Sequence, residues 1–342
     1  MLDDRSILVT GGTGSFGRAL VKVLLARHRP RRLVVFSRDE QKQYRMAQEL
    51  PPEEHACMRY FIGDVRDRER LRRAMDGVEL VIHAAAMKHV PIAEYNPFEV
   101  IRTNVGGAEN VINAAIDCGV ERVVALSTDK AASPINLYGA TKLCSDRCFI
   151  AANHMAARSG TRFSVVRYGN VIGSRGSVVE RFRSLAARGV KTLPVTDKRM
   201  TRFLITLDQG VDFVLERLEA MEGGEVFVPK IPSARVVDLA RAIHPKCELE
   251  EIGIRPGEKL HEVLIPFDES GHTVEYSKHY TVFPFWNRWQ PGRERGQRED
   301  GQPVADGFHY WSGLEEFLMK PAELKRLLAR DRTDTPVHEH AA

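Results

Sequence analysis

Tyr138 and Lys142 stand four residues apart in Tyr138-Gly-Ala-Thr-Lys142, a spacing that puts both side chains on one face of a helix. A tyrosine near its reference pKa of about 10 is a poor base at neutral pH. A lysine cation beside it, together with the positive charge of a nicotinamide ring, favours phenolate. Such a phenolate accepts a hydroxyl proton while hydride leaves the same carbon. Just upstream lies Ser127-Thr128-Asp129-Lys130, where Thr128 offers a hydroxyl to orient a substrate and an acid and a cation follow directly.

A second group of residues points to the hydride acceptor. Thr10-Gly-Gly-Thr-Gly-Ser-Phe-Gly17 places glycines at 11, 14 and 17. A sharp strand-to-helix turn, close approach of a pyrophosphate and tight helix packing each favour glycine. Gly11, Thr13, Gly14, Ser15, Phe16 and Gly17 are therefore expected to wrap a dinucleotide, with the helix N-terminus facing phosphate. The next strand ends Ser37-Arg38, and Lys42 follows one helical turn on. A guanidinium suits a 2′-phosphate, so the cofactor is expected to be NADP. Asp39 reads as the cap of the helix that follows. Asp64 and Val65 are placed to hold the adenine, and Ala84-Ala85-Ala86 with Lys88 to line the cofactor at the next strand end, Lys88 reaching between cofactor and substrate.

These residues need a scaffold, and the pattern supplies one. Apolar runs at 7–9, 33–36, 60–62, 80–82, 123–126 and 163–166 alternate with helical stretches. Short continuous apolar strands separated by helices describe a parallel sheet covered on both faces, hence an α/β, doubly wound, Rossmann-type fold. Each of these strands ends in a polar or glycine signal, and carboxyl ends are where such sheets bind ligands. After about Gly173 the segments shorten. Residues 1–172 are expected to form the NADP-binding domain with the catalytic residues. Residues 173–330 should form a smaller C-terminal substrate-binding lobe interleaved with the sheet, and 331–342 a disordered tail. The polar stretch Trp286 to Gly307 reads as a loop.

Composition narrows the function class. Hydrophobic residues make up 43% and charged residues 28%, with a net charge of only +4, so neither a nucleic acid nor a membrane surface is an expected partner. No apolar stretch approaches the roughly 18 residues of a membrane span. Cys57, Cys118, Cys144, Cys148 and Cys247 are scattered, and no CxxC or histidine cluster indicates a metal site or a disulfide framework. A strand begins almost at the N-terminus without a leader, so the expected location is cytoplasmic.

Taken together, the glycine loop, the strand-end Ser-Thr and the Tyr138/Lys142 pair resemble the extended short-chain dehydrogenases over residues of about 5 to 265. Ser127 to Lys142, Arg167 to Ser177, Met200-Thr-Arg-Phe203 and Gly253 to Glu262 are similar to the C5-inverting UDP-N-acetylglucosamine 4,6-dehydratase family. The resemblance implies Asp129 as the acid for a departing C6 hydroxyl and Lys130 as the base at C5, tasks that a simple 4-epimerase lacks. Asp129 must then be protonated when it acts and Lys130 neutral, its pKa well below the usual 10.4 or so. It also implies that Asn170, Arg202 and Arg255 contact the diphosphate of a UDP-N-acetylhexosamine and Glu258 the uridine ribose, that the NADP is regenerated each turnover, and that the chain forms a homo-oligomer, a dimer or larger. The product would be a UDP-4-keto-6-deoxy-L-hexosamine on the way to pseudaminic acid or a related surface-glycan sugar. Phe308 to Gly313 departs from the family pattern in lacking an asparagine. A C5-retaining dehydratase, a UDP-hexose 4-epimerase and a non-catalytic NADP-sensing protein remain open alternatives.

Overall fold

The computed structural model describes residues 2–174, 176–285 and 301–333. The Val/Ile-rich runs form β1 (Ser6–Thr10), β2 (Arg32–Ser37), β3 (Met58–Ile62), β4 (Leu80–His83), β5 (Arg122–Thr128) and β6 (Arg162–Tyr168). Branched side chains fit a pleated surface buried on both faces. Every position of β1 and of β4 is buried. Between the strands run α1 (Ser15–Arg27), α2 (Glu40–Glu49), α3 (Arg68–Met75), α4 (Val90–Tyr95), α5 (Pro97–Ile101), α6 (Gly107–Asp117) and α7 (Leu137–Met155). The six strands are parallel in the order β3-β2-β1-β4-β5-β6. Chain direction across the sheet reverses between β1 and β4, which opens a crevice at their carboxyl ends. The doubly wound fold expected from the sequence is the one observed.

The second half of the chain builds β7 (Asn170–Val171), α8 (Val178–Ala187), β8 (Thr192–Val195), β9 (Thr201–Ile205), α9 (Leu207–Ala220), β10 (Val226–Pro229), β11 (Ser233–Arg235), α10 (Val236–Ile243), β12 (Glu248–Glu251), β13 (Val263–Ile265), β14 (Thr273–Glu275), β15 (His279–Val282), β16 (Gln302–Pro303), β17 (Tyr310–Trp311) and α11 (Pro321–Thr333). Strand β10 joins β6 in parallel, and β15, β14 and β16 continue antiparallel to make a ten-stranded sheet. The other strands form small sheets, β11-β9-β7, β12-β8 and β13-β17. With α8, α10 and α11 they enclose two small cores, one around Ile172, Leu204, Leu239 and Leu324, the other around Phe182, Leu193 and Val236.

Two expectations from the sequence change here. Helix α11 runs to Thr333, three residues into the segment read as a disordered tail, because Leu324 and Leu328 bury against the smaller lobe. Residues 334–342 lie outside the described residues. So do 286–300 of the stretch read as a loop, whose remainder contributes the edge strand β16. Among the described residues no helix is long and apolar enough to cross a membrane.

Two local devices position the catalytic helix α7. Its N-cap Asn136 accepts from the Gly139 N–H at 2.7 Å, and the same side chain donates to the Gly257 carbonyl at 2.7 Å. Gly139 packs so tightly on the preceding turn that a Cβ there would lie 2.2 Å from the Lys130 carbonyl oxygen. A π-helical turn at Arg102–Gly106 lets Asn104 face α7. It exchanges hydrogen bonds with the backbone of Met87 at 2.8 and 3.0 Å and donates to Thr141 at 3.1 Å.

Candidate active site

The glycine loop closes on itself at the switch point. The Gly14 N–H donates to the Gly11 carbonyl at 2.9 Å, and a Cβ at Gly17 would sit 2.5 Å from the Gly12 Cα. Helix α1 has no side-chain cap and no acidic residue in its first turn. The N–H groups that a helix leaves without intrahelical acceptors there are directed at an anion. The Thr13 hydroxyl donates to Ser37 at 3.1 Å, and Gln43 also donates to Ser37, at 3.2 Å. The loop after β4 forms the floor, with Ala84 and Ala85 N–H groups on the Thr10 hydroxyl at 3.2 and 3.3 Å. A shaped glycine cradle, an open helix N-terminus and a polar strand end fit a dinucleotide.

The cations read as phosphate ligands are found with carboxylates. Lys42 Nζ is 2.6 Å from Asp39, and Asp39 caps α2 through the Lys42 N–H at 2.9 Å. Arg38, more than half exposed, lies 3.7 Å from Asp64. Asp64 accepts from the Arg66 N–H at 3.0 Å and from its guanidinium at 2.7 Å. Burial would raise the Asp64 pKa, but Arg66 and then Arg38 outweigh it and hold it below the ordinary value. Val65 is buried beneath it, with its carbonyl accepting from Asn110 at 3.0 Å. Lys88 is exposed on the segment leading to α4.

Under the floor, His83 is buried with Nδ1 2.8 Å from the Thr10 hydroxyl. Burial, reinforced by Lys142, pushes its pKa down to about 3. An unfolded histidine titrates near 6.5, so the folded chain binds fewer protons below that pH. Stability is therefore lost as pH falls through this window. Denaturant titrations of the protein and of His83→Asn, whose amide oxygen still accepts from Thr10, should differ in their acid limbs. Between about pH 7 and pH 5 the histidine costs about 2 kcal/mol that the variant does not lose. Coincident limbs would show that His83 titrates normally.

At the end of β5 the side chains diverge. Ser127 turns back to donate to Asp146 at 2.6 Å. Thr128 donates to Asp129 Oδ1 at 3.0 Å, and its hydroxyl acts to lower the Tyr138 pKa. Asp129 is fully buried, 2.9 Å from Lys130 Nζ, and its Oδ2 has no hydrogen-bond partner. Burial raises its pKa, more than Lys130 lowers it. That is the direction an acid requires.

Lys130 departs from its expected state. Burial would lower its pKa, but the Asp129 and Glu262 carboxylates, 2.9 and 3.3 Å away, hold it above the ordinary value. A lone lysine is therefore not the resting base. Tyr138 also differs from expectation. Burial pushes its pKa up to about 12, and the cation drawing it down is Lys130, opposed by Asp129. Lys142 is buried and donates to the Leu126 carbonyl at 2.8 Å. Burial lowers its pKa against the pull of Asp146.

The substrate residues separate into two groups. Asn170 and Glu258 each keep one buried oxygen without a hydrogen-bond partner, and Glu258 lies 3.7 Å from Arg255. Arg255 is exposed. Arg202 forms the second group. It is buried on β9, where it donates to the carbonyls of Thr201, Leu260 and Lys259 at 2.7, 3.2 and 3.0 Å. Three of its five N–H groups are engaged there, and its Nε lies 3.8 Å from Glu262. Residues that the motif reading left unassigned are Asn104, Asp146 and Glu262. Glu262 closes the Gly253–Glu262 motif, and that position was its only signal. Among the described residues no group of His, Cys, Asp or Glu is arranged to hold a metal ion.

This geometry defines a dinucleotide-binding α/β protein with a tyrosine-lysine helix of the short-chain dehydrogenase type. Residues 7–284 match the family described as polysaccharide biosynthesis protein. The UDP-N-acetylglucosamine 4,6-dehydratase (inverting) of Campylobacter jejuni is 53% identical over 331 residues, covering 96% of this chain and 98% of the relative. The X-ray structure of Pen from Bacillus thuringiensis is 35% identical with a TM-score of 0.88, over 97% of this chain and 99% of that one. A UDP-glucose 4-epimerase of Rickettsia conorii is 40% identical over 289 residues, 82% of this chain and 84% of the relative. The chain belongs to the polysaccharide biosynthesis protein family, in the branch of the inverting UDP-N-acetylglucosamine 4,6-dehydratases.

Proposed function

We propose that this chain is an NADP-dependent lyase converting UDP-N-acetylglucosamine to a UDP-4-keto-6-deoxy-L-hexosamine with inversion at C5. The observation that carries the reading is the pair of buried Asp129 and half-buried Lys130, 2.9 Å apart, whose charges both act on Tyr138. An epimerase acts at C4 alone and has no use for an acid and base beyond its tyrosine. The 53% identity to the Campylobacter enzyme over nearly the whole chain supports the same substrate.

Held by the glycine loop at Gly11–Gly17 and the strand end at Ser37, a bound nicotinamide cofactor would supply the hydride acceptor for C4 and the hydride donor for C6. The rest falls to the chain. Tyr138, oriented by Thr128, takes the C4 hydroxyl proton. The resulting ketone acidifies C5–H. Lys130 and Asp129 hold one working proton between them, and its transfer along the 2.9 Å hydrogen bond makes a carboxylic acid and a free amine with no change of net charge. That answers how a lysine with a raised pKa becomes a base. Lys130 Nζ takes the C5 proton, Asp129 gives its proton to the leaving C6 oxygen, and water departs. The pair returns to ammonium and carboxylate. A proton then reaches C5 from the opposite face.

Arg38 and Lys42 favour NADP over NAD if each exchanges its carboxylate partner for a 2′-phosphate. Asn170, Arg255 and Glu258 take the nucleotide end, their unpaired buried oxygens being acceptors for donors of a ligand. Exposed Ile92, Tyr95 and Phe98, the last two 88% and 72% accessible on α4 and α5, favour a homo-oligomer. Free thiols at all five cysteines favour the cytoplasm. The family description favours a place at the head of a surface-glycan route such as that to pseudaminic acid. Mass spectrometry after incubation with UDP-N-acetylglucosamine should show a sugar nucleotide lighter by one water, and extraction of the purified protein should yield NADP. An unchanged mass with an altered C4 configuration would support the epimerase reading that the rickettsial relative favours, and extracted NAD would overturn the cofactor assignment.

A further inference from the structure

We propose that Glu262 is a positioning residue that keeps the single working proton on the Asp129–Lys130 pair, so that the elimination step depends on its charge more than C4 oxidation does. The proposal rests on the reading of that pair as acid and base.

One ammonium is shared by two carboxylates. Lys130 Nζ lies 2.9 Å from Asp129 Oδ1 and 3.3 Å from Glu262 Oε1. The Glu262 side chain is 2% exposed, and its Oε2 has no hydrogen-bond partner. A buried carboxylate is costly unless cations surround it. Arg202 Nε is 3.8 Å and Lys259 Nζ 3.9 Å away. Lys259 is itself tied to the Ala132 carbonyl at 2.6 Å. Within 4 Å Glu262 thus faces three cations, and Asp129 faces Lys130. The two acids are driven apart: Glu262 keeps its charge and Asp129 is the one able to hold a proton.

The mount of Glu262 is built for this. Its N–H donates to the Ser312 hydroxyl at 2.9 Å and its carbonyl accepts from the Ser312 N–H at 2.8 Å. Ser312 is fully buried and lies 2.7 Å from the Thr201 hydroxyl, while the Tyr310 hydroxyl anchors β17 to the Ile231 carbonyl at 2.8 Å. The atypical Phe308–Gly313 segment is therefore a rigid support beneath the pair rather than a lid.

A fixed negative charge beside a coupled pair raises the pH at which the pair loses its proton, whichever member carries it. Without that charge the pair empties earlier, and elimination fails on the alkaline side. The test compares wild type, Glu262→Gln, Glu262→Asp and Lys130→Met in single turnovers with UDP-N-acetylglucosamine across pH. C4 oxidation is read from reduced nicotinamide absorbance and elimination from loss of the C5 hydrogen. Glu262→Gln should lose elimination on the alkaline side about one to three pH units earlier than wild type, with the pH profile of oxidation moving less. Glu262→Asp, charged but one methylene farther away, should shift less and in the same direction, and it decides the matter if the glutamine variant does not fold. Superposed profiles, or equal losses in both steps at every pH, would overturn the proposal. Undiminished elimination by Lys130→Met would instead remove the acid-base reading on which it rests.

Discussion

Tyr138→Phe is expected to lower turnover by about 10³- to 10⁴-fold while leaving nucleotide binding intact. The variant keeps the ring that packs with Ala93 and Val100 and loses only the hydroxyl beside Thr128. Because burial holds that hydroxyl near a pKa of about 12, it is a phenol at neutral pH in the free chain. Deprotonation favours the base, so the single-turnover rate of C4 oxidation should rise with pH, and the residual rate of the variant should not. Stopped-flow absorbance of reduced nicotinamide measures both. Wild-type oxidation by Tyr138→Phe would place the base elsewhere.

The second large effect separates the two halves of the reaction. Asp129→Asn should leave C4 oxidation close to wild type and slow elimination by about 10²- to 10³-fold. Asparagine keeps the shape and still accepts from Thr128, but it has no acidic proton for the leaving oxygen. It also removes the partner to which Lys130 passes its proton, so the amine forms less readily. Reduced nicotinamide should accumulate after substrate is added, with a 4-keto sugar that still bears its C6 hydroxyl. Both are visible by absorbance and mass spectrometry. A methyl-bearing product formed at the wild-type rate would show that Asp129 is not the acid.

The architecture was legible because each β–α unit is local. The apolar runs, the glycine loop and the Tyr138/Lys142 spacing all act within a few residues, and each marked residue at a strand's carboxyl end is where the parallel sheet exposes it. Asp39 was rightly read as a helix cap for the same reason. Interactions that span the chain were not legible. The carbonyls of Leu260 and Lys259 that Arg202 grips lie 58 and 57 positions away. The state of Lys130 depends on Glu262, and Glu262 depends on Ser312, contacts across 132 and 50 positions. No periodicity reports such pairs. The pKa of Tyr138 was expected to follow Lys142, its neighbour on the helix, yet Lys142 reaches the β5 backbone and Lys130 from the adjoining turn is the cation that bears on the phenol.

Proton NMR of the purified protein incubated with UDP-N-acetylglucosamine in deuterated water tests the central claim most directly. A new C6 methyl signal, deuterium at C5 and couplings of an inverted L-configured ring are expected. A methyl signal with the original C5 configuration would contradict the inversion, and a C4 epimer without any methyl would contradict the roles given to Asp129 and Lys130.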